Sequence, residues 1–432
     1  MGEWPTYPLS SFVDPSRSIC YGIVQPGAKQ QDGVPIVRVN NFRDGGIDTD
    51  EVLRVAPEIE HKYSRSRLVG GELLVTLVGT MGLSAIAPCE LRGWNVARAV
   101  GVVPLRDDVD KRWVNFVVRS APSQDFINTH ANTTVQATFN LKDLARLPVP
   151  MPPDEIRTNI SELLSALDDK IELNRQTNET LEALARAIFK DWFVDFGPTR
   201  AKAEGRPPYL APELWELFPD ALDDEDKPVG WTSHCLTDIA EQFKRSVSPT
   251  READRVFEHY SLPAFDAGQE PVCDLGETIK SNKTLVPEGA ILLSKLNPEI
   301  SRVWLPYEPS NLIQVSSTEF LVFKPKKPVG RGVLYCLFRD SGFQRTLVGM
   351  VTGTSKSHQR VSPKALMELD VLVGKSEGFS AFENIVSPLL NASLGNRIQA
   401  RTLSQTRNLL LPKLMSGEIR LRDGEKLVED AA

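Results

Sequence analysis

Residues 154–192 read DEIRTNISELLSALDDKIELNRQTNETLEALARAIFKDW, and the spacing of their apolar side chains decides the fold. The seam runs Ile156, Ile160, Leu163, Leu167, Ile171, then Asn174 and Asn178, then Leu181, Ala185, Ile188 and Trp192. Steps of three and four alternate, with one extra four between Leu167 and Ile171. That is a heptad pattern carrying a single stutter, as in a long helix packed along another helix. No Gly or Pro interrupts it, and Pro152-Pro153 stop the preceding chain just before Asp154. At 1.5 Å rise per residue it would reach roughly 58 Å, longer than most small domains are wide. A helix of that length with one apolar stripe needs a partner.

The partner lies in the same chain. Subtracting 222 from the numbering lays residues 364–414 onto 142–192 without a gap, matching Lys142/Lys364, Leu147/Leu369, Val149/Val371, Ser165/Ser387, Asn174/Asn396, Arg175/Arg397 and Leu181/Leu403. The second seam runs Phe382, Val386, Leu389, Ser393, Asn396, Ala400, Leu403, Arg407, Leu410 and Leu414. The globular parts repeat as well, more faintly. GWTSHCLTDIA (230–240) echoes EWPTYPLSSFV (3–13), and GAILLS (289–294) echoes GELLVT (71–76). Short β-branched runs such as VPIVRVNNF (34–42), GELLVTLVG (71–79), AVGVVPL (99–105) and EFLVFKP (319–325) read as strands. Trp113 to Arg119 and Leu141 to Leu147 read as short helices or turns.

The expected class is therefore α+β: two strand-rich globular domains separated by two long antiparallel coiled-coil helices, with a pseudo-two-fold internal repeat. The expected divisions are a domain over 1–153, a helix over 154–196, a connector over 197–229, a second domain over 230–375, a second helix over 376–421 and a tail over 422–432. Antiparallel helices would bring the chain ends together and set the domains at opposite ends of a spacer. Asn174 and Asn396 would then face one another near the middle, and a buried Asn pair fixes register at some cost in stability.

Composition excludes several functions. The 432 residues carry 50 basic and 57 acidic side chains. Residues 1–150 hold 16 of each sign and 228–373 hold 17 basic and 16 acidic, whereas 151–227 hold 9 basic and 18 acidic. The two domains are near neutral, so charge alone does not point to nucleic acid. Five cysteines stand singly, without a C-x-x-C, which argues against structural zinc or a disulfide framework and fits a reducing cytoplasm. No window approaches ~18 uninterrupted apolar residues, and the N-terminus lacks the pattern of a leader. No phosphate-cradling loop of the GxxxxGK[ST] kind is present. Pro219-Asp220 with Glu225-Asp226-Lys227 only superficially suggests a metal-dependent nuclease, since the spacing is too tight and the stretch is a linker. The five histidines are isolated, so no metal site and no catalytic residue is expected.

At LPVPMPPDEIRTNISELLSALDDKIELNRQTNETLEALARAIFKDWF the chain resembles the central conserved region of type I restriction–modification specificity subunits. LLPKLMSGEIRL (410–421) resembles that family's distal conserved region, and RAKAEGRPP with LFPD is similar to its connector. The resemblance implies a non-catalytic, cytoplasmic subunit for host defence, whose domains are target recognition domains that each read half of a bipartite double-stranded DNA site. The helices would set the spacing and dock two methyltransferase subunits, which use S-adenosylmethionine; a motor-endonuclease subunit using ATP and Mg2+ would complete the complex. This chain would hold no cofactor.

The expected readers are polar residues beside the paired strand motifs. In the first domain they are Arg38, Asn40, Asn41, Lys62, Thr80, Thr133, Thr134 and Gln136. In the second they are Ser294, Lys295, Asn297, Thr354, Ser355, Lys356, His358 and Gln359. Arg and Lys suit guanine in the major groove, and Asn and Gln suit adenine. The near-neutral domains fit a division of labour in which the methyltransferases share the phosphate contacts. Partner docking is expected at Arg175 and Arg397 and at Phe189, Trp192 and Phe193, although packing against the connector would equally account for the aromatics. Two other functions stay open at this level: a recognition subunit of a different DNA-defence system, and an assembly scaffold that does not read DNA.

Overall fold

The structure, a computed structural model, describes the chain apart from residues 1–3, 44–45, 51, 132–137, 309, 353–358, 420 and 430–432. The chain forms two compact bodies: Met1–Asn174 with Gln399–Ala432, and Arg175–Ile398. The divisions between these bodies fall inside both long helices. Packing explains this, because each half-helix buries its apolar face in the core of one body.

In the first body, strands β1 (Leu73–Thr76), β2 (Ser84–Ile86) and β3 (Val100–Val103) form an antiparallel sheet with Cys20–Tyr21, in the order Cys20–Tyr21, β3, β1, β2. Every residue of β1 and β3 is buried. Alternate side chains point to opposite faces: Leu73, Val75 and Val103 join a core with Trp113 and Phe116, while Leu74, Val100 and Val102 join another with Phe42 and Leu91. Both faces are covered, which is why these strands read as unbroken apolar runs.

Helix α1 (Lys111–Arg119) lies on the first of those faces. Asp110 caps it, accepting from the Trp113 N–H at 3.0 Å, and the Trp113 indole donates to the Pro150 carbonyl at 2.9 Å. A short helix spans Leu141–Arg146. Long helix α2 (Asp154–Phe193) packs Ile160, Leu164 and Leu167 into the same core, against Leu403, Leu410, Leu411 and Leu414. Numbers rise along one helix as they fall along the other, so the pair is antiparallel within this body. The seam is shifted by one position from the sequence reading: Leu164 is fully buried, Leu163 only half-buried, and Ile156 is 43% exposed. Ser161 and Ser165 are buried too, because α2 is covered both by its partner helix and by the globular part. The residues beyond 421 form a helix, Leu421–Glu429, where the sequence suggests a tail, and its Val428 packs on this core.

The second body repeats the plan. Strands β4 (Ile291–Ser294), β5 (Val303–Trp304) and β6 (Phe320–Pro325) form an antiparallel sheet with Ala240–Phe243, in the order Ala240–Phe243, β6, β4, β5. Helix α3 (Arg331–Arg339) and the first half of α4 (Ser376–Met415) complete its core with the second half of α2. The connector joins this body, with Trp215 and Phe218 buried. Even single backbone hydrogen bonds recur: Leu9 N–H to Leu147 O at 2.9 Å in one body, Leu236 N–H to Leu369 O at 2.8 Å in the other.

One substitution across the repeat is compensated. In the first body Ser161 donates to the α1-capping carboxylate of Asp110 at 2.8 Å. The position equivalent to Ser161 is Glu383, whose carboxylate itself accepts from Gly332 and Val333 N–H at 2.9–3.3 Å at the start of α3. Gly330 leaves it room, since a Cβ there would lie 2.2 Å from Glu383 Cδ. Glu383→Ala is expected to lower the stability of the second body by about 1–3 kcal/mol, by leaving buried N–H groups unpaired. Ser161→Ala leaves Asp110 on its helix and should cost less than about 1 kcal/mol. Urea unfolding of the two variants checks the contrast.

Candidate nucleic-acid interface

In each body a loop leaves the central strand of the sheet and returns as the edge strand. Residues 77–82 join β1 to β2, and residues 295–301 join β4 to β5. Both loops close on the same bond, Thr76 N–H to Leu83 O at 2.8 Å and Ser294 N–H to Arg302 O at 2.9 Å. Both turn through a left-handed residue, Gly79 (φ 79°) and Asn297 (φ 47°). Both bridge to the segment leading to the next helix, Val78 with Thr138 and Leu296 with Arg360.

The first loop is tied down from two sides. The Gly82 N–H donates to Thr76 O at 2.9 Å, and the Gln124 amide donates to Gly82 O at 3.0 Å. Gly82 has φ 82°, and a Cβ there would meet Gln124 Oε1 at 2.5 Å, so only glycine fits. Thr80 at the tip is exposed. It shares an open hollow of about 560 Å3 with Arg38 and Asn40, together with Phe42, Arg43 and Leu83. Arg38 Nε is buried without a hydrogen-bond partner. Three expected readers therefore converge on one surface. Asn41 does not join them. It is 3% exposed; its Oδ1 accepts from Arg38 N–H at 2.9 Å and its Nδ2 donates to Asp48 O at 3.1 Å, so it staples the turn that presents Arg38 and Asn40. Lys62 is exposed past the helix Pro57–His61 and does not line this hollow.

In the second body Lys295, Asn297 and Gln359 come together. Asn297 N–H donates to Gln359 O at 2.8 Å, and Val361 N–H donates to Lys295 O at 2.9 Å. Arg360 holds the base of the loop through two 3.0 Å bonds to Glu319, and this guanidinium keeps the Glu319 carboxyl below the usual range. Asn297 Oδ1 is buried and has no hydrogen-bond partner among the described residues. Ser294 is 4% exposed and bonded to Leu296, so it belongs to the loop's own frame and not to its surface. Thr133, Thr134, Gln136, Thr354, Ser355, Lys356 and His358 lie outside the described residues.

The helices carry the remaining candidates. Asn174 is 2% exposed and donates to Gln399 at 2.9 Å in the first body; Asn396 donates to Asn178 at 3.0 Å in the second. Each asparagine thus meets a side chain of the opposite helix within its own body. Arg175 is exposed and paired with Glu179. Arg397 is turned inward onto Glu182 and Gln269, so it is not free for a partner. Phe189 and Trp192 are 5% and 3% exposed, and Phe193 stacks on Phe379 at 4.9 Å. These aromatics pack in the core of the second body against Phe218, Trp231 and Phe382.

Sequence reasoning missed Arg43, Leu83 and Asn408, which border the first-body surface. Arg43 stands directly after the VNNF run and was within reach of the same reading. Asn408 comes from the far end of the chain, and no local signal links it to this surface. Among the described residues no group of three or more His, Cys, Asp or Glu is placed to hold a metal ion. Among the described residues no helix is long and apolar enough to cross a membrane.

Comparison with known proteins agrees with this architecture. Residues 26–183 match the type I restriction modification DNA specificity domain. The specificity subunit of the Escherichia coli EcoBI type I restriction enzyme is 31% identical over 196 residues, covering 43% of this chain and 41% of that one; the match thus spans less than half of that relative. The HindI specificity subunit of Haemophilus influenzae is 26% identical over 336 residues, 67% of this chain and 72% of that one. The crystal structure of the type I S subunit from M. genitalium superposes with a TM-score of 0.51 at 15% identity, over 95% of this chain and 96% of that one, a likeness of fold.

Proposed function

Because this chain belongs to the family of type I restriction–modification specificity subunits, we propose that each of its two bodies reads one half of a bipartite DNA target. The chain supplies sequence specificity and no catalysis. The long helices fix the unread spacing, with Asn174 and Asn396 setting their register, and dock two methyltransferase subunits whose S-adenosylmethionine serves adenine methylation. A motor-endonuclease, using ATP and Mg2+, joins the same assembly.

One observation supports this reading above the others: the same anchored loop occurs in both bodies with different side chains on it. Loop 77–82 offers Thr80 beside Arg38 and Asn40, whereas loop 295–301 offers Lys295 and Asn297 beside Gln359. A repeated frame with unlike polar tips is what two readers of unlike half-sites require. Each bidentate base contact of this kind discriminates by about 1–3 kcal/mol. A non-reading scaffold would have no use for rigidly held, unlike polar tips.

The test is modification-sensitive sequencing of host DNA with and without this gene. Loss of methyladenine from a single bipartite motif on removal of the gene is the expected result. Retention of every methylated motif in a host that expresses the chain and its methyltransferase contradicts the proposal.

A further inference from the structure

The reading surface of the first body does not end at Thr80. It continues past Arg43 and Leu83 into a second hollow of about 250 Å3, bordered by Arg119 and by Arg407 and Asn408 of α4. The two hollows share Phe42, Arg43 and Leu83, so they form one surface.

The second hollow is bordered by guanidinium groups. Arg119 and Arg407 both bind Asp168; Arg119 donates to it at 2.6 Å, and Arg407 reaches its other oxygen. Arg407 is 1% exposed and also donates to Ser404 and Asn408. Its role is to hold Asp168, and through it Arg119, in place. Arg43 adds a third guanidinium, with a side chain 60% exposed, a 3.5 Å contact to Asp48 and a 3.2 Å bond to the Phe42 carbonyl. Among the described residues, three guanidiniums, those of Arg43, Arg119 and Arg407, thus border one hollow, and that of Arg43 is the most exposed. The equivalent positions in the second body, Ala185 and Leu390, are apolar and buried, so helix pairing does not require charge here.

We propose that this hollow seats a DNA backbone phosphate flanking the first half-site, with Arg43 and Arg119 as donors and Asp168 and Arg407 as positioning residues. This rests on the DNA-reading function proposed above. Guanidinium pairs are suited to phosphate by their planar donor fork. Phosphate contacts set the position of the duplex, and the adjacent Arg38, Asn40 and Thr80 can then address base edges. The distal helix is in this account part of the first DNA surface as well as a spacer, because Asn408 borders the seat.

The experiment measures binding of the complete methyltransferase complex to a duplex bearing its methylated motif and to a scrambled duplex, across a salt series. Arg43→Gln combined with Arg119→Gln is expected to reduce the slope of log Kd against log salt by about one, removing roughly 3-fold of the affinity change between 50 and 200 mM salt, and each single variant by part of that. The ratio between motif and scramble should not change. Asn408→Asp, an exposed substitution, should weaken both duplexes several-fold without changing that ratio. A duplex with one neutral methylphosphonate at the flanking position should lose less affinity for Arg43→Gln, which retains Arg119, than for wild type. Unchanged salt slopes in both arginine variants, or a changed base preference, would overturn the phosphate seat while leaving the reading intact. A wild-type complex that does not discriminate motif from scramble removes the reading itself, and the seat with it.

Discussion

Asp168→Ala is expected to destabilise the first body by about 3–5 kcal/mol, the cost of leaving a buried charge without its partner. Arg407 is enclosed at a seam position of α4, and Asp168 neutralises it. Removing the carboxylate also leaves Arg119 and Arg407 facing each other with no anion between them. The repeat supplies the rescue. At the equivalent positions of the second body the helices meet through Leu390 and Ala185, which are 4% and 0% exposed. The double variant Asp168→Leu with Arg407→Ala grafts that apolar pair into the first body and should recover most of the loss. Apolar replacement of buried ion pairs is often neutral or stabilising. Native-state hydrogen exchange on peptides from 399–415 reads the effect locally. A graft no better than the single variant would show that the two helix pairings are not equivalent.

Trp192→Ala is expected to remove about 3–5 kcal/mol from the second body, as for other buried aromatics cut back to alanine. Trp192 meets Phe218 at 5.1 Å and Phe382 at 6.0 Å between ring centroids, and Phe193 and Phe189 extend the same cluster. The connector is held through Phe218, so exchange in residues 210–218 should accelerate in the variant. Unfolding of the isolated chain distinguishes packing from docking. A docking role would leave its stability unchanged and weaken only the capture of the methyltransferase.

The long helices were legible because one stripe at heptad spacing admits few alternatives, and the 222-residue offset doubled the signal. The seam itself was misplaced by one residue at Leu163, since a helix covered on two sides buries Ser161 and Ser165 as well as its leucines. The strands Leu73–Thr76 and Ile291–Ser294 were visible as apolar runs, but nothing in those runs revealed that both faces are covered. Arg407 sat in the seam as an unexplained charge; its reason, Asp168, is 239 residues away. The proposed reading surface was legible in part. Asn40, Thr80, Lys295 and Asn297 sit where loops flank buried strands, which sequence can suggest. Asn41 and Ser294 have the same composition and the opposite orientation, and only hydrogen-bond geometry separates a reader from a staple.

The most direct test of the central claim, one half-site per body, is the methylome of a host carrying single-body variants. Asn40→Ala with Thr80→Ala should relax or shift only one half of the methylated motif, with the other half and the spacing unchanged. Lys295→Ala with Asn297→Ala should do the same to the other half alone. If either pair altered both halves together, or if neither altered the motif in a stable, methyltransferase-bound chain, the two-reader account would be wrong.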